Sequence, residues 1–148
     1  IVKAFNISSR CFHIELWQLL EDKPGLAKKG EIIALEANLR SPGGNTPDLL
    51  NLVSGCDYYE TYANMIVNNV SNLDNETDLV SYSINRKYSI QYEHSSSDIM
   101  EKFNDNLKEH GTYPLAFRDA LGDEFFLFVF KHDAKKEKQF LDYVLATK

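Results

Sequence analysis

The chain has 148 residues, of which 43% are hydrophobic, 26% are charged and 12% are aromatic, and its formal net charge is −6. This composition is typical of a folded globular domain and excludes a disordered or fibrous chain. The acidic balance argues against a nucleic-acid surface, because binding to phosphates needs clustered Lys and Arg side chains. No apolar run approaches the about 20 residues that a membrane-spanning helix requires.

The first predicted elements are two strands at residues 10–20 and 31–40. Both runs alternate between polar and apolar side chains, and turn-forming residues separate them, so we predict an antiparallel pair. Those turn-forming residues are Pro24, Gly25 and Gly30. In the second strand, Glu36, Asn38 and Arg40 recur at a period of two and should share one face. The opposite face, which we expect to belong to the core, consists of Ile33, Leu35, Ala37 and Leu39.

Two helices should follow within residues 49–68, because apolar side chains recur at helical spacing there and Gly55 interrupts them. Residues 69–78 predict a polar linker, and residues 79–88 predict a strand. Residues 95–110 predict an amphipathic helix that starts at a serine cap and ends at the glycine that follows.

A second hairpin is predicted from strands at residues 113–118 and 125–131, followed by a final helix from Asp133 to about residue 146. The predicted class is therefore α+β, with a mostly antiparallel sheet and helices packed on it. No interior linker is long enough to divide domains, so residues 1–148 are predicted to form one domain.

The two cysteines, Cys11 and Cys56, lack C-x-x-C spacing and are too few for a disulfide framework. We interpret both as reduced core residues rather than nucleophiles, because neither has an identifiable base partner in the sequence. Since the sequence shows no signal peptide, the predicted compartment is the cytoplasm.

The first predicted hairpin also carries side chains suited to a metal ion. Glu15 lies on the first strand and Glu36 and Asn38 lie on the second, so neighbouring strands would bring their oxygens close together. Mg²⁺ prefers such hard oxygen ligands, and it commonly combines one or two carboxylates with substrate phosphates. Arg40 would share their face, where its planar fork suits a phosphoryl oxygen.

A glycine-rich loop follows the second strand and contains Gly43 and Gly44. Consecutive glycines permit backbone conformations, and a close approach by a ligand, that side chains would prevent. Their N–H groups could bind a substrate carboxylate or an oxyanion.

At these residues the sequence resembles the ATP-grasp superfamily, in which a Glu on one strand and a Glu-x-Asn pair on the next bind two Mg²⁺ ions, with an Arg two residues further on. The segment at residues 35–48, LEANLRSPGGNTPD, is similar to a segment of bacterial ATP-grasp proteins described as carboxylate-amine ligases. The resemblance continues through NRKY at residues 85–88, Y-x-H-S at 92–95 and ALGD at 120–123, and so covers most of the chain.

The resemblance implies the C-terminal subdomain of the ATP-grasp fold and a two-step reaction. ATP would phosphorylate a carboxylate to an acyl phosphate, which an amine would attack to give an amide or peptide bond, ADP and phosphate. The implied cofactors are ATP and Mg²⁺ or Mn²⁺, with Glu15, Glu36 and Asn38 as metal ligands. Glu36, Asn38 and Arg40 would contact the nucleotide phosphates, and Arg40 would act on the transferred phosphoryl group.

The family also has an N-terminal nucleotide-binding lobe, with a glycine-rich phosphate loop and lysines, that this sequence does not show. That lobe would precede Ile1, so we expect this piece alone to bind nucleotide poorly and to be inactive. Its partners would be that lobe and the small-molecule substrates. A homodimer and the identity of the carboxylate and the amine are left open.

An alternative of a different class is a non-catalytic α+β binding or regulatory module derived from an ATP-grasp fold. It would bind a partner through the sheet or through a tyrosine-rich helix face, and the polar side chains of the second strand would be a solvent-facing stripe. That face contains Tyr58, Tyr59 and Tyr62. His13, Arg86 and His94 likewise either contact a site or have structural roles.

Overall fold

The computed structural model describes residues 3, 4, 6, 7, 10–70 and 77–148. The chain divides into two compact units, one from residues 1–47 and 57–73 and the other from residues 48–56 and 74–148. Strands in antiparallel sheets and helices are both present, so the α+β class is confirmed. The organisation as a single domain stays a prediction. Of the predicted polar linker, residues 71–76 lie outside the described residues.

The first unit contains an antiparallel hairpin of β1 (His13–Gln18) and β2 (Ile32–Asn38). The predicted first pair of strands is therefore confirmed. The register shifts between Glu15 and Leu16, which leaves Leu35 of β2 without a directly opposed partner. Such a bulge bends the strand and increases its twist.

The apolar face of β2 is not buried. Leu35 and Leu39, the residue that follows β2, are 51% and 46% exposed, so the prediction that this face belongs to the core is wrong for the described chain. The bulge breaks the two-residue alternation on which that prediction depended. In addition, a two-stranded hairpin buries a face only when another layer packs against it.

Two helices follow the hairpin, α1 (Thr46–Ser54) and α2 (Tyr58–Asn68), and they are separated at Gly55 as predicted. Gly55 has a φ of +66°, a left-handed conformation that glycine adopts without strain. The Asp57 carboxylate accepts two backbone N–H groups of the first turn of α2, at 2.8 and 3.1 Å. This N-cap explains where α2 begins.

The tyrosines of α2 have different environments. Tyr58 is buried, and its ring is parallel to that of Tyr62 with 6.4 Å between their centroids, whereas Tyr59 is exposed. Burial, together with a hydrogen bond to Cys11, raises the pKa of the Tyr58 hydroxyl. Cys11 and Cys56 are both free thiols as predicted, but they are half-buried rather than core residues.

The second unit contains a three-stranded antiparallel sheet of β3 (Leu79–Arg86), β4 (Leu107–Thr112) and β5 (Glu124–Lys131), in the order β3-β5-β4. The predicted strands at residues 79–88 and 125–131 are confirmed. The nearly continuous apolar run of β5 is typical of a strand that is buried on both faces, and β5 is the central strand.

Helices α3 (Ser96–Lys102) and α5 (Ala134–Val144) complete the core of the second unit. Both begin at the caps that the sequence predicts. Ser95 and Asp98 form a reciprocal capping box, and the Asp133 carboxylate accepts two backbone N–H groups of α5, both at 3.1 Å. The core cluster comprises Ile84, Ile99, Phe126, Phe128, Phe140 and Val144.

The predicted helix at residues 95–110 is too long. Helix α3 ends at Lys102, and the residues that follow pair with β5 as the edge strand β4. Asn106 starts this pairing, since its carbonyl accepts the Val129 N–H and its amide donates to the Val129 carbonyl, both at 2.9 Å. Gly111 is therefore not a helix cap. It lies in β4, where a Cβ would be 2.8 Å from the Phe125 ring.

The strand predicted at residues 113–118 is also wrong. Residues Leu115–Phe117 form a 3-10 helix, and Arg118–Leu121 form the short helix α4. Pro114 stands directly before them and has no N–H to donate to a strand ladder. Both edges of β5 are already paired, one with β3 and the other with β4. Within the described residues, no helix has the length and the apolar character needed to cross a membrane.

Candidate functional site

The hairpin brings the predicted metal ligands onto adjacent strands in register. Glu15 of β1 is directly opposite Glu36 of β2, and His13 is directly opposite Asn38. Residues directly opposed in an antiparallel pair share a face and have Cβ atoms about 4.5–5.5 Å apart. The two carboxylates and the amide therefore lie on one face, together with an imidazole that the sequence left ambiguous.

Each carboxylate has a neighbour that can carry positive charge. Nε2 of His13 is 3.4 Å from Oε1 of Glu15, and Nη2 of Arg40 is 3.9 Å from Oε1 of Glu36. The Glu15 and Glu36 side chains are 41% and 46% exposed, so both remain open to solvent and to a ligand. Pairs at this exposure contribute little to stability, so a ligand could replace them at small cost.

Two buried nitrogens on this face have no hydrogen-bond partner among the described residues, Nδ1 of His13 and Nδ2 of Asn38. A buried polar atom without a partner is unfavourable and needs a physical explanation. Because no hydrogen bond holds the Asn38 nitrogen, a rotation of the amide would present its oxygen at the same place. The amide is thus free to donate or to act as an oxygen ligand.

The donor set fits a hard divalent cation. Two carboxylates and an amide oxygen suit Mg²⁺ or Mn²⁺, with the remaining positions filled by water or phosphate. Across the described ranges, no group of three or more His, Cys, Asp or Glu side chains is arranged to hold a metal ion. The site on the hairpin would therefore depend on the Asn38 oxygen as its third protein ligand.

The glycine loop after β2 has open space around it. A Cβ added at Gly43 or Gly44 would meet no atom within 4 Å. Gly44 has a φ of +59°, which favours glycine by itself, whereas Gly43 has an ordinary backbone. Packing therefore does not explain a glycine at position 43, although a close approach of a ligand to the backbone would.

Arg40 completes the polar face of β2. Its Nη1 donates to the Ser41 carbonyl at 3.0 Å, and its side chain is 58% exposed. A guanidinium has five N–H donors, so this contact and the one to Glu36 leave others for an anion.

No family model matches the chain, and no curated protein matches it. The resemblance to the ATP-grasp superfamily stays a prediction from the sequence.

Two further residues that the sequence left ambiguous lie in the second unit, where they make structural contacts. The His94 ring stacks on Tyr143 with centroids 3.5 Å apart. Nη2 of Arg86 donates to the His94 carbonyl at 2.7 Å, and the guanidinium lies 3.7 Å from the centre of the Tyr92 ring. Glu124 lies nearby and was not singled out from the sequence. The sequence offered one signal for it, since Glu124 is a charged residue directly before the continuous apolar run at residues 125–130.

Proposed function

We propose that the chain is the C-terminal metal- and phosphate-binding portion of an ATP-dependent carboxylate-amine ligase that acts in the cytoplasm through an acyl phosphate. The observation that carries this proposal is the direct opposition of Glu15 and Glu36, with Arg40 3.9 Å from Glu36. Two opposed carboxylates repel each other. A divalent cation would convert that repulsion into a binding site, and the family resemblance supplies the reaction.

The roles of the residues follow from their chemistry. Glu15, Glu36 and the amide oxygen of Asn38 would hold Mg²⁺ or Mn²⁺, which when bound neutralises charge on the phosphates of ATP. Arg40 donates hydrogen bonds to the transferred phosphoryl group and so stabilises the charge on its oxygens. The backbone N–H groups of Gly43 and Gly44 bind the substrate carboxylate or the oxyanion that forms on amine attack.

The exposed apolar side chains of the hairpin support the presence of a partner. They lie on both faces of the hairpin, since the consecutive strand residues Leu16 and Trp17 point to opposite sides. We assign this exposed apolar surface to contacts with the nucleotide-binding lobe that the family resemblance requires, which would also fix ATP against the metal ligands. The exposed apolar side chains on the strands and their connection are Leu16, Trp17, Leu20, Leu26, Ile32 and Leu35.

The metal site is tested by titrating the chain with Mn²⁺ and following free Mn²⁺ by electron paramagnetic resonance. We expect saturable binding that Glu15→Gln and Glu36→Gln each weaken by about tenfold or more, because each removes one charged ligand. The matched control is Glu21→Gln, which neutralises an exposed carboxylate in the connection between the strands. Equal weakening by all three substitutions would reduce the effect to net charge and sink the metal site.

The ligase activity is tested in the chain joined to its nucleotide-binding lobe, by ADP release with Mg²⁺-ATP and a panel of amino acids. We expect ADP release that depends on a carboxylate and an amine and that Glu36→Ala abolishes. Release that is indifferent to Glu36→Ala would contradict the assignment of the site. The amino acids that stimulate release would identify the substrate class.

A second candidate is the non-catalytic binding module. The observation that favours it is the same exposed apolar surface, since Trp17 is 57% exposed on the hairpin. In this case a protein partner would occupy that surface and no metal would be needed. Substitution of Trp17 by Ser would then abolish partner binding, while Glu36→Gln would leave it unchanged. The ligase proposal predicts that Glu36→Gln abolishes turnover.

A further inference from the structure

A buried pair of opposite charges lies at one end of the sheet in the second unit. Arg86 is the last residue of β3 and Glu124 is the first residue of β5, and they are directly opposed in the register. They are 3% and 5% exposed. Removing a charged group from water is unfavourable unless hydrogen bonds or an opposite charge compensate for it.

The Glu124 carboxylate is satisfied by residues other than Arg86. Its Oε1 accepts a hydrogen bond from the Ser96 hydroxyl at 2.7 Å, and its Oε2 is 3.1 Å from Nε2 of His110. The His110 ring is held in place by stacking on Phe126, with 4.4 Å between the centroids. Both carboxylate oxygens therefore have partners from α3 and β4.

The Arg86 guanidinium is only partly satisfied. Nη2 donates to the His94 carbonyl at 2.7 Å, and the Tyr92 ring covers one face of the guanidinium at 3.7 Å. Nε and Nη1 are buried and make no hydrogen bond to any described residue. Together these two nitrogens carry three N–H hydrogens, and leaving buried charged donors without acceptors is costly.

Arg86 is one of the residues that line a cavity of about 280 Å³. The contacts with Tyr92 and with the His94 carbonyl fix the plane and the orientation of the guanidinium before any ligand arrives. Such preorganisation strengthens binding because little side-chain freedom remains to be lost. The cavity is also lined by Lys87, Ser96 and Glu124.

We propose that this cavity binds the carboxylate of a small molecule through Nε and Nη1 of Arg86. A planar carboxylate matches the guanidinium fork and would accept the hydrogen bonds that these nitrogens lack. The residues of this site belong to the second unit, whereas the predicted metal ligands belong to the first, and the proposal assigns Arg86 a role that the ligase proposal does not use.

The charge of Glu124 selects a monoanion over a dianion. Glu124 is directly opposite Arg86 and lines the same cavity. Its negative charge therefore repels a dianion more strongly than it repels a carboxylate monoanion. Lys87 also lines the cavity, and the hydrogen bond from its Nζ to the Asp119 carbonyl at 3.0 Å holds its ammonium there rather than on Glu124. We therefore expect acetate to bind more tightly than inorganic phosphate at pH 7.5.

The experiment is a titration of ¹⁵N-labelled protein with sodium acetate at constant ionic strength, following the Nε–H signal of Arg86 by NMR. We expect a saturable shift of that signal and a weaker response to inorganic phosphate. Arg86→Lys keeps the charge but removes the fork and with it the Nε–H signal, so binding to the variants is followed by the backbone amide signals of Tyr92 and Ser96, which line the cavity. The substitution should weaken acetate binding by about tenfold or more. The control is Arg118→Lys, whose Nε already donates to the Tyr113 carbonyl at 2.8 Å.

The wild-type titration decides the proposal even if a variant fails to fold. No saturable shift of the Arg86 Nε–H signal would overturn the site. Tighter binding of phosphate than of acetate would overturn the assignment of a carboxylate, and so would equal acetate binding by the wild type and Arg86→Lys.

Discussion

Glu15 and Glu36 are directly opposed on the antiparallel strands β1 and β2, so two carboxylates share one face of a hairpin. Adjacent like charges destabilise a strand pair when no cation is bound. The same two residues should therefore oppose the stability of the metal-free hairpin and favour the metal-bound one. A destabilising effect of these carboxylates without metal and a stabilising effect with metal would distinguish a metal site from a polar stripe on the strand face.

Glu15→Gln should raise the free energy of unfolding of the metal-free protein by about 0.2–1 kcal/mol at pH 8, because it removes the repulsion of Glu36. The contact with His13 contributes little, because both side chains are partly exposed to solvent. The measurement is urea denaturation with and without Mn²⁺. In excess Mn²⁺ the order of stabilities should reverse. A destabilised variant under both conditions would contradict the metal site.

Gly122→Ala should lower the free energy of unfolding by about 2 kcal/mol or more. Gly122 has a φ of +101°, and an added Cβ would be 3.0 Å from the Arg86 carbonyl oxygen, so the substitution combines backbone strain with a backbone contact. The control is Gly43→Ala, where the φ is ordinary and no atom lies within 4 Å. Equal effects of the two substitutions in urea denaturation would show that the local geometry at position 122 is not responsible.

The contact between Tyr82 and Glu137 should make stability depend on pH at both extremes. The Tyr82 hydroxyl donates to Glu137 at 2.6 Å. Burial, together with this hydrogen bond, raises the pKa of Tyr82 from 10.0 to about 12. The hydrogen bonds from Tyr82 and from the Asp133 N–H lower the pKa of Glu137 below its usual 4.5.

The directions of these two pKa shifts determine how the stability of the folded state changes with pH. The lowered pKa of Glu137 stabilises the folded state above about pH 4.5, and that stabilisation is lost as the pH falls below it. The raised pKa of Tyr82 stabilises the folded state below pH 10, and that stabilisation is lost between pH 10 and about 12. In urea denaturation across pH, Glu137→Gln should flatten the acid limb and Tyr82→Phe the alkaline limb. Unchanged limbs would contradict the assignment.

Asp133→Ala should destabilise the second unit by about 1 kcal/mol, because the side chain accepts two N–H groups of the first turn of α5. The control is Asp142→Ala on the same helix, which removes an exposed pair with Lys138 and should change stability by less than about 0.5 kcal/mol. Thermal denaturation of both variants tests the difference. A larger loss at Asp142 would exclude capping as the cause.

Some elements were predictable because their signals are local. The Asp133 and Ser95 caps act on N–H groups two or three residues away, so the sequence contains both partners of each bond. The apolar run of β5 and the alternation in the first hairpin are similarly short-range patterns. The residues of the candidate metal site were named from their order and type on two neighbouring strands and from the resemblance to the ATP-grasp superfamily.

Other elements depended on partners far away in the chain. Residues 107–110 were predicted as the end of a helix, but they belong to β4, which pairs with the edge of β5 that β3 leaves open. The bulge at Leu35 and the exposure of that side chain likewise depend on how two strands align. Periodicity within one segment carries no information about such an alignment.

The sequence by itself determined the α+β class, the first hairpin, the strand at residues 125–131 and the helix caps, because each depends mainly on patterns within short segments of the chain. Only the tertiary structure decided that Glu15 is opposite Glu36 and that Arg86 lies buried opposite Glu124 with two nitrogens unpartnered. Strand register and burial arise from long-range pairing, in which the free energy of many contacts outweighs local preference.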